Sequence, residues 1–301
     1  MSQAATVLLI GGSGFLGRYV TSLLLERGDK VIIPTRSATI SHHPIEVTWI
    51  TDTELSQEHL NQWVSKLDSG GVVINLVGQL HDKPGFPYGP VFKEAHVELV
   101  KRLISAFNHS PARRFIHISS LGADSHGPSM YQRSKGDAER YIKESSLNWT
   151  ILRPSVIFGS DDQFIQLFAS LCNIFPVIPL ASAQSRFQPV AVSDVAQAIS
   201  QSIDQRNTFH QSIDLGGPSI YTLKELVELA GRTVNKKPLV IPMPHALGVI
   251  QAWAFEHLPG KTLMSRDNLA SMQRDNVLPS QYQSLKELFN INPTALETLL
   301  P

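Results

Sequence analysis

The 301-residue chain is predicted to be an α/β protein with a doubly wound parallel sheet and a smaller C-terminal cap. Three features of the sequence predict this fold. Short apolar runs alternate with amphipathic segments through the first half, the first run leads into a glycine-rich turn, and the alternation loosens after about residue 158.

The predicted strands are rich in Val and Ile and mostly uninterrupted, as expected of strands buried on both faces. They lie at Val7–Ile10, Lys30–Pro34, Glu46–Ile50, Val72–Val77, Arg114–Ser119 and Trp149–Arg153. Apolar residues at helical spacing predict helices between them, at Gly14–Arg27, Glu54–Leu67, Val91–Asn108 and Met130–Glu144. This alternation favours a parallel sheet with right-handed crossovers.

The later part of the chain is predicted to form the cap, at the carboxyl ends of the strands, where α/β sheets bind ligands. Residues 1–158 would form the sheet domain, with a returning segment at about 187–205, and residues 159–186 and 206–301 would form the cap. The helices predicted there are Asp162–Leu171, Thr222–Val234, Leu247–Glu256 and Arg266–Asp275. The predicted strands are Phe187–Val192 and Leu239–Ile241, and a further helix is expected to start at Ser193 and Asp194.

The composition argues against several classes of function. With 26 basic and 26 acidic residues, the chain lacks the overall basic excess expected for binding nucleic acid or an anionic membrane surface. Its single cysteine, Cys172, excludes an internal disulfide and a cysteine-based zinc site, and no metal is expected. We see no signal peptide and no apolar run of about 18 residues, so we expect a cytoplasmic protein without a membrane span.

The first turn carries Gly11, Gly14 and Gly17 at a spacing of three residues, between a strand and a helix. Such glycines give a tight turn, a close approach of the backbone to a pyrophosphate, and close contact between helix and strand. The helix that starts there offers unpaired N–H groups to phosphate. The turn therefore predicts a Rossmann-type dinucleotide site.

The end of the second strand indicates which dinucleotide binds. An NAD site usually places a carboxylate about 20 residues beyond the last glycine, to bind the ribose hydroxyls. This chain has Arg36 there, which cannot accept a hydrogen bond but pairs well with a 2′-phosphate. NADP(H) is therefore favoured over NAD(H); the alternative is a solvated surface arginine.

A possible acid–base pair lies at Tyr131 and Lys135, one helical turn apart. A free phenol titrates near about 10, so it needs a neighbouring cation to act near neutral pH. Ser120, at the end of the fifth strand, would polarise a substrate carbonyl beside the phenol. Tyr282 and Lys286 repeat the spacing, but they follow Pro279 in the cap region and are not expected to form a site.

With these motifs, the chain resembles the extended and atypical short-chain dehydrogenase/reductase superfamily over nearly its full length. The matching segments are the glycine turn, Asn75–Gly78, Ser119 and Ser120, Tyr131 and Lys135, Arg153–Gly159, Gln188–Ala196, Leu215–Pro218, and Tyr221 with Thr222. The resemblance implies further cofactor contacts at Phe15, Leu16, Asp52, Leu76, Val77, Gly78, Ser119, Pro154 and Val156.

Within the superfamily, the chain is most similar to the branch of the nucleotide-binding accessory subunit of mitochondrial complex I and its bacterial relatives, often described as epimerase-like. Residues 117–124 and the Arg-Ser-Lys of the active-site helix carry this similarity. Two positions depart from the sugar-nucleotide pattern. His96 replaces the usual asparagine, and only eleven residues lead from Ser120 to Tyr131. The departures count against a full sugar-nucleotide site.

Two functions follow from the sequence. The first is an NADPH-dependent reductase or epimerase acting on a carbonyl of unidentified small-molecule substrate, with Tyr131 as proton donor, Lys135 as its cation and Ser120 as carbonyl polariser. The second is a non-catalytic module that holds NADP(H) and docks on a protein partner. The apolar run from Pro242 to residue 258 is the candidate partner surface; the alternative is a helix packed on the core.

Overall fold

A seven-stranded, fully parallel sheet organises the fold in this computed structural model, which describes residues 4–37, 44–257, 264–279 and 284–299. The strands in chain order are β1 (Thr6–Ile10), β2 (Lys30–Pro34), β3 (Thr48–Ile50), β4 (Val72–Asn75), β5 (Arg114–Ile118), β6 (Asn148–Pro154), β7 (Ile157–Phe158), β8 (Val177–Ala181), β9 (Arg186–Phe187), β10 (Val190–Ala191), β11 (Gln211–Leu215), β12 (Tyr221–Thr222) and β13 (Leu239–Met243).

The described helices surround this sheet and build the cap. They are α1 (Phe15–Glu26), α2 (Gln57–Val64), α3 (Pro90–Phe92), α4 (Leu99–Ala106), α5 (Met130–Lys143), α6 (Gln163–Ile174), α7 (Val192–Ser202), α8 (Leu223–Thr233), α9 (His245–His257), α10 (Arg266–Ser271), α11 (Ser284–Phe289) and α12 (Leu296–Leu299). A π-helical stretch, Lys93–Glu98, joins α3 to α4 where the sequence predicts one uninterrupted helix.

The strand order is β3-β2-β1-β4-β5-β6-β11, and all neighbours are parallel. The order reverses between β1 and β4, so a crevice opens at their carboxyl ends, which is where such sheets bind ligands. Helices α1, α7 and α11 pack on one face, and α2, α4 and α5 on the other. Alternate residues of β1 enter the two layers, which explains the uninterrupted apolar runs. The predicted doubly wound sheet is confirmed.

The cap is built around a two-stranded parallel ribbon of β8 and β13, with α6 and α8 packed against it. The structure differs from the predicted boundaries in one respect. Residues 206–301 were assigned to the cap, but β11 pairs with β6 as the seventh strand of the main sheet. Leu285 and Phe289 of α11 also return to the core beneath that sheet.

Candidate cofactor and active site

The glycine turn lies at the crevice between β1 and β4, and its three glycines have different physical roles. Gly11 has a left-handed backbone (φ +83°), and a Cβ there would lie 3.2 Å from the backbone nitrogen of Val77. A Cβ on Gly17 would lie only 2.3 Å from the carbonyl oxygen of Gly12. The fold itself therefore requires Gly11 and Gly17.

Gly14 is different, because its space is open. It precedes α1 with an ordinary φ of −80°, and a Cβ there would meet only the Gly11 carbonyl oxygen, at 3.3 Å. No side chain caps the first turn of α1, where Phe15 and Leu16 lie, so its backbone N–H groups remain available. The space beside Gly14 and the unpaired backbone N–H groups at the start of α1 fit a dinucleotide pyrophosphate.

Arg36 and Asp52 lie on the β2 and β3 side of the same sheet edge. Arg36 is exposed just beyond β2, and within the described part of the chain its side chain has no hydrogen bond or ion pair. Asp52 is also exposed and has a left-handed backbone (φ 52°), with its N–H donating to the Ser37 carbonyl at 3.4 Å. Both side chains are exposed, and their predicted contacts with a cofactor stay predictions.

The segment after β4 forms the opposite wall of the crevice. The Leu76 N–H donates to the Ile10 carbonyl at 2.9 Å, and the Val77 N–H donates to the side-chain oxygen of Asn75 at 3.1 Å. A Cβ on Gly78 would lie 3.7 Å from the Lys135 Nζ. These contacts bring Leu76, Val77 and Gly78 between the glycine turn and the active-site helix α5.

Pro154 and Val156 lie farther along the sheet edge, next to the turn after β5. Pro154 is buried, and its carbonyl accepts from the Leu121 N–H at 2.9 Å. Val156 is half-buried, and its carbonyl accepts from the Val190 N–H at 2.9 Å. Backbone contacts therefore fix both residues, and their contact with a cofactor remains a prediction.

Tyr131 and Ser120 interact at the end of β5, and Lys135 reaches the same strand end from helix α5. Burial raises the pKa of the Tyr131 phenol, and the neighbouring Ser120 hydroxyl opposes this rise. The Ser120 Oγ is buried and makes no hydrogen bond of normal geometry with the described residues. A buried hydroxyl whose hydrogen bonding is not completed by the protein fits the polariser of a bound polar group.

The Lys135 ammonium is almost fully buried and donates to the Ile118 carbonyl at 3.1 Å. Burial lowers its pKa to about 8, although Glu139 acts in the opposite direction. In this structure the ammonium is held by the sheet edge rather than by the phenol. Its remaining N–H groups lie near Gly78, where the predicted cofactor ribose contact would be made.

His96 stands where the resemblance to sugar-nucleotide enzymes predicts asparagine. Its imidazole is buried and neutral, and it connects the loop after β4 to helix α5. Its Nε2 accepts from the Gln79 N–H at 3.0 Å, and its Nδ1 is 2.8 Å from the Ser134 Oγ. Because Ser134 donates to the Tyr131 carbonyl, the histidine proton must lie on Nδ1. Burial, Lys135 and His117 lower its pKa to about 2, so His96 positions the loop after β4 and does not transfer protons near neutral pH.

Ser119, predicted to contact the cofactor, instead donates to the Glu139 Oε1 at 2.6 Å. Glu139 is buried on α5, where Arg153 and Lys143 also bind it. Burial raises the pKa of Glu139, but the bonds from Arg153 and Ser119 outweigh it and lower the pKa overall. The network fixes the Ser119–Ser120 turn against the active-site helix.

A carboxylate from the cap binds the start of α5, which the sequence analysis missed. The Met130 and Tyr131 N–H groups donate to the two oxygens of Asp267, at 2.6 and 3.1 Å. Ser129 also caps this helix by accepting from the Gln132 N–H. Asp267 belongs to α10, so the cap is anchored directly beside Tyr131.

Tyr282 and Lys286, which repeat the spacing of Tyr131 and Lys135, have no described contact with this site. Tyr282 lies outside the described residues, whereas Lys286 lies in α11 beside β11. The helix α11 packs against the main sheet and α7.

Lys135 gives a pH-dependent prediction for the ligand-free protein. We expect the free energy of unfolding to rise by about 2 kcal/mol between pH 8 and pH 10 because of this residue. In that window the unfolded chain, with a lysine pKa of 10.5, binds more protons than the folded chain, with a pKa of about 8. Raising the pH therefore favours the folded state until the unfolded lysine also loses its proton.

Urea unfolding at pH 8, 9 and 10 would measure this effect. Lys135→Met should lack the rise, whereas Lys66→Met, which changes an exposed lysine after α2, should keep it. Parallel pH profiles for wild type and Lys135→Met would contradict the prediction.

Comparison with known proteins identifies the family to which this site belongs. A family model described as NAD(P)H-binding matches residues 11–206, which include the glycine turn, β4, β5 and α5. The chain belongs to this NAD(P)H-binding family. The match also places it in the extended and atypical short-chain dehydrogenase/reductase superfamily, as the sequence motifs predicted.

Two curated relatives are named as subunits of mitochondrial NADH–ubiquinone oxidoreductases. The mitochondrial NADH-ubiquinone oxidoreductase 40 kDa subunit of Neurospora crassa is 27% identical over 287 residues, covering 94% of this chain and 74% of that protein. The mouse mitochondrial NADH dehydrogenase [ubiquinone] 1 alpha subcomplex subunit 9 is 28% identical over 298 residues, covering 96% and 77%.

A solved structure shares the fold. The nucleoside-diphosphate-sugar epimerase from Staphylococcus aureus superposes with a TM-score of 0.73 at 18% identity, covering 98% of this chain and 99% of that one. This likeness shows the fold alone, and it agrees with the seven-stranded sheet described above.

Proposed function

We propose that this chain is an NADP(H)-dependent oxidoreductase that reduces an uncharged carbonyl compound. The observation that carries the proposal is the buried Ser120 hydroxyl beside the Tyr131 phenol at the end of β5, with the buried Lys135 ammonium on the same helix as Tyr131. An acid, a hydrogen-bond donor and a cation next to a dinucleotide site are the groups that carbonyl reduction requires.

The cofactor, when bound, would supply a hydride to the carbonyl carbon. Ser120 would donate a hydrogen bond to the carbonyl oxygen, where negative charge develops. Tyr131 would give its proton to that oxygen, completing the alcohol, and would regain a proton from solvent. Burial raises the pKa of the phenol, so Tyr131 is protonated at neutral pH and holds the proton that the alcohol requires. The same groups would serve an epimerase.

The cations around the site favour an uncharged substrate over a sugar nucleotide. A diphosphate needs cations or N–H donors that have no stronger partner. Several arginines near this sheet edge are already engaged. Arg186, Arg266 and Arg274 pair with Asp275, Glu256 and Asp124, and Arg133 donates to the carbonyls of Pro87, Gly127 and Pro128.

The preference for NADP(H) rests on Arg36. We expect wild type to bind NADPH more tightly than NADH, because the exposed guanidinium can pair with the 2′-phosphate. Losing this contact in Arg36→Ala should weaken NADPH binding by about 1.5–3 kcal/mol, or roughly 10- to 150-fold, and leave NADH binding nearly unchanged.

Nucleotide fluorescence titrations would test this preference. Arg18→Ala is a matched control, since Arg18 is exposed near the same turn but pairs with Asp161. Equal affinity of wild type for NADPH and NADH would overturn the assignment of Arg36.

Turnover is tested by mixing the NADPH complex with aldehydes, ketones, quinones and nucleotide sugars and following NADPH absorbance in a single turnover. The proposal expects oxidation by an uncharged carbonyl compound and none by the nucleotide sugars. Oxidation by nucleotide sugars alone would contradict the proposed substrate class.

A second candidate is a non-catalytic module that holds NADP(H) as a structural ligand within a protein assembly. It is favoured by two observations: the curated relatives are named as subunits of a respiratory enzyme, and Lys135 binds the Ile118 carbonyl rather than the phenol. A tightly bound nucleotide stabilises a fold without any chemistry. In this case the bound nucleotide would neither exchange nor be oxidised. The predicted cytoplasmic location stays a prediction beside these mitochondrial relatives.

A further inference from the structure

The large exposed apolar side chains of the described residues gather on one part of the cap. Eight of the thirteen lie on the end of α6, the β8–β13 ribbon and α9. They are Ile174, Phe175, Val177, Leu239, Ile241, Leu247, Ile250 and Trp253, with exposed fractions from 44% to 68%. We call these eight residues the cap patch. Apolar groups gathered in this way on a folded domain mark an interaction surface.

The ribbon and the helix form one continuous surface. Val177 pairs with Leu239 in the ribbon, and Pro179 pairs with Ile241, so these side chains share the outer face. Farther along that face Ala181 is covered by α9, because a Cβ on Gly248 would lie 2.3 Å from the Ala181 Cβ. The helix therefore lies on the ribbon's outer face and leaves the first half of the face exposed.

Helix α9 turns its large apolar residues away from the protein. It buries only the small residues Gly248 and Ala252. Leu247, Ile250 and Trp253 follow each other every three residues and lie on the opposite side of the helix. The predicted C-terminal apolar run packs Met243 and Val249 against the core but turns Leu247, Ile250 and Trp253 away from it. It presents them in the same direction as the exposed part of the ribbon.

Three cations border the cap patch. Arg232 is exposed in the last turn of α8, and Lys236 and Lys237 are exposed in the turn that leads into β13, shortly before Leu239. In the described ranges none of them has a carboxylate partner. Of the acidic residues on α8 and α9, Glu228 is ion-paired with Lys224 and Glu256 is ion-paired with Arg266. The whole chain has no net charge, but this border is locally basic.

We propose that the cap patch is a docking surface for an anionic phospholipid bilayer, with the apolar side chains inserted at the interface and the three cations at the headgroups. Exposed Phe, Leu, Ile and Trp beside Lys and Arg are the combination by which proteins bind to a membrane surface without crossing it. Trp253 suits the headgroup level. Lysine is depleted from protein–protein interfaces, so the lysine border favours a bilayer over a protein partner.

This mode of binding does not involve a membrane-spanning segment. The structure has no helix, within its described ranges, that is long and apolar enough to cross a bilayer. The helix α9 has thirteen residues and would lie along the surface.

Vesicle flotation of the full chain tests the proposal, using phosphatidylcholine vesicles with and without 30% phosphatidylglycerol. Wild type should bind the anionic vesicles at least about tenfold more tightly than the neutral ones, and less tightly as salt is raised. The double variant Lys236→Gln/Lys237→Gln should bind anionic vesicles about 10- to 30-fold more weakly, because each lysine near the surface is worth about 1 kcal/mol.

Two further variants separate the apolar contribution from the charge. Ile250→Ser/Trp253→Ser should weaken binding to both kinds of vesicle, whereas Lys66→Gln, after α2 and outside the cap, should change neither. All variants should keep wild-type urea midpoints, because the replaced side chains are exposed. Brominated lipids should quench wild-type fluorescence more than that of Trp253→Phe.

Three results would overturn the proposal. The first is failure of wild type to float with anionic vesicles, and the second is unaltered flotation after the two lysine changes. The third is self-association of wild type in size-exclusion chromatography that Ile250→Ser/Trp253→Ser abolishes, which would assign the cap patch to a second copy of the chain. The vesicle measurements need no nucleotide turnover, so their outcome is independent of the proposed enzymatic function.

Discussion

Tyr131→Phe is expected to slow carbonyl reduction by about 10²- to 10⁴-fold and to leave NADPH affinity within about threefold. The substitution removes one hydroxyl and keeps the aromatic ring. That ring contacts Phe92 and His96 edge-on, with centroids 5.9 and 5.7 Å apart, so the start of α5 should remain in place. The rate should fall because the phenol is the group proposed to give the carbonyl oxygen its proton.

The neighbouring titratable groups cannot easily replace the phenol. His96 has a pKa lowered to about 2, so it carries no transferable proton on Nε2 at neutral pH. Lys135 could supply a proton, but its ammonium donates to the Ile118 carbonyl. The residual rate should therefore come from Ser120 and from substrate positioning.

Single-turnover absorbance of the NADPH complex with an accepted carbonyl compound measures the effect. Tyr141→Phe is the matched control, since it removes a phenol on the same helix where Lys101 and Arg140 lie over the ring. Equal rates for wild type and Tyr131→Phe would remove Tyr131 from the mechanism. Complete absence of oxidation in wild type across the panel would favour the module.

The sequence predicted the sheet well because its strands are buried on both faces. The runs around Val7, Val31 and Val73 carry apolar residues at successive positions, and the structure places each run in the sheet. The seventh strand, Gln211–Leu215, was missed because it lies at the edge of the sheet. Its polar and apolar residues alternate in exposure, so it lacks the continuous apolar run.

The site was predictable where its residues are close in the sequence. The glycine turn and the pair Tyr131 and Lys135 each lie within one turn or one helix, so their spacing is informative. Asp267 binds the start of α5 from 136 residues away, and no local pattern indicates such a contact. The Lys135 ammonium binds the Ile118 carbonyl, which is also a contact between distant parts of the sequence. The helical spacing of Tyr131 and Lys135 does not show whether the ammonium binds this carbonyl or the phenol.

The glycine turn offers a second test with a large expected effect, because the structure separates binding from folding. Gly14→Val should abolish measurable NADPH binding, with an affinity loss of more than about 100-fold, and leave a folded protein that is less stable than wild type but more stable than Gly17→Ala. The new side chain would meet only the Gly11 carbonyl at its Cβ, and a φ of −80° suits any L-residue. It would fill the space through which a pyrophosphate reaches the first N–H groups of α1, and each such charge-assisted hydrogen bond is worth about 1.5–3 kcal/mol.

Gly17→Ala is the matched control, and it should have the opposite effect. Its Cβ would lie 2.3 Å from the Gly12 carbonyl oxygen and 2.6 Å from the Gly12 Cα, both of them backbone atoms. We expect a loss of about 2–4 kcal/mol in the free energy of unfolding, because the turn and α1 must move apart. Urea unfolding and NADPH fluorescence titration of both variants would measure the two effects. If Gly14→Val kept wild-type affinity while remaining folded, the glycines would serve the fold alone and the pyrophosphate would have to bind elsewhere.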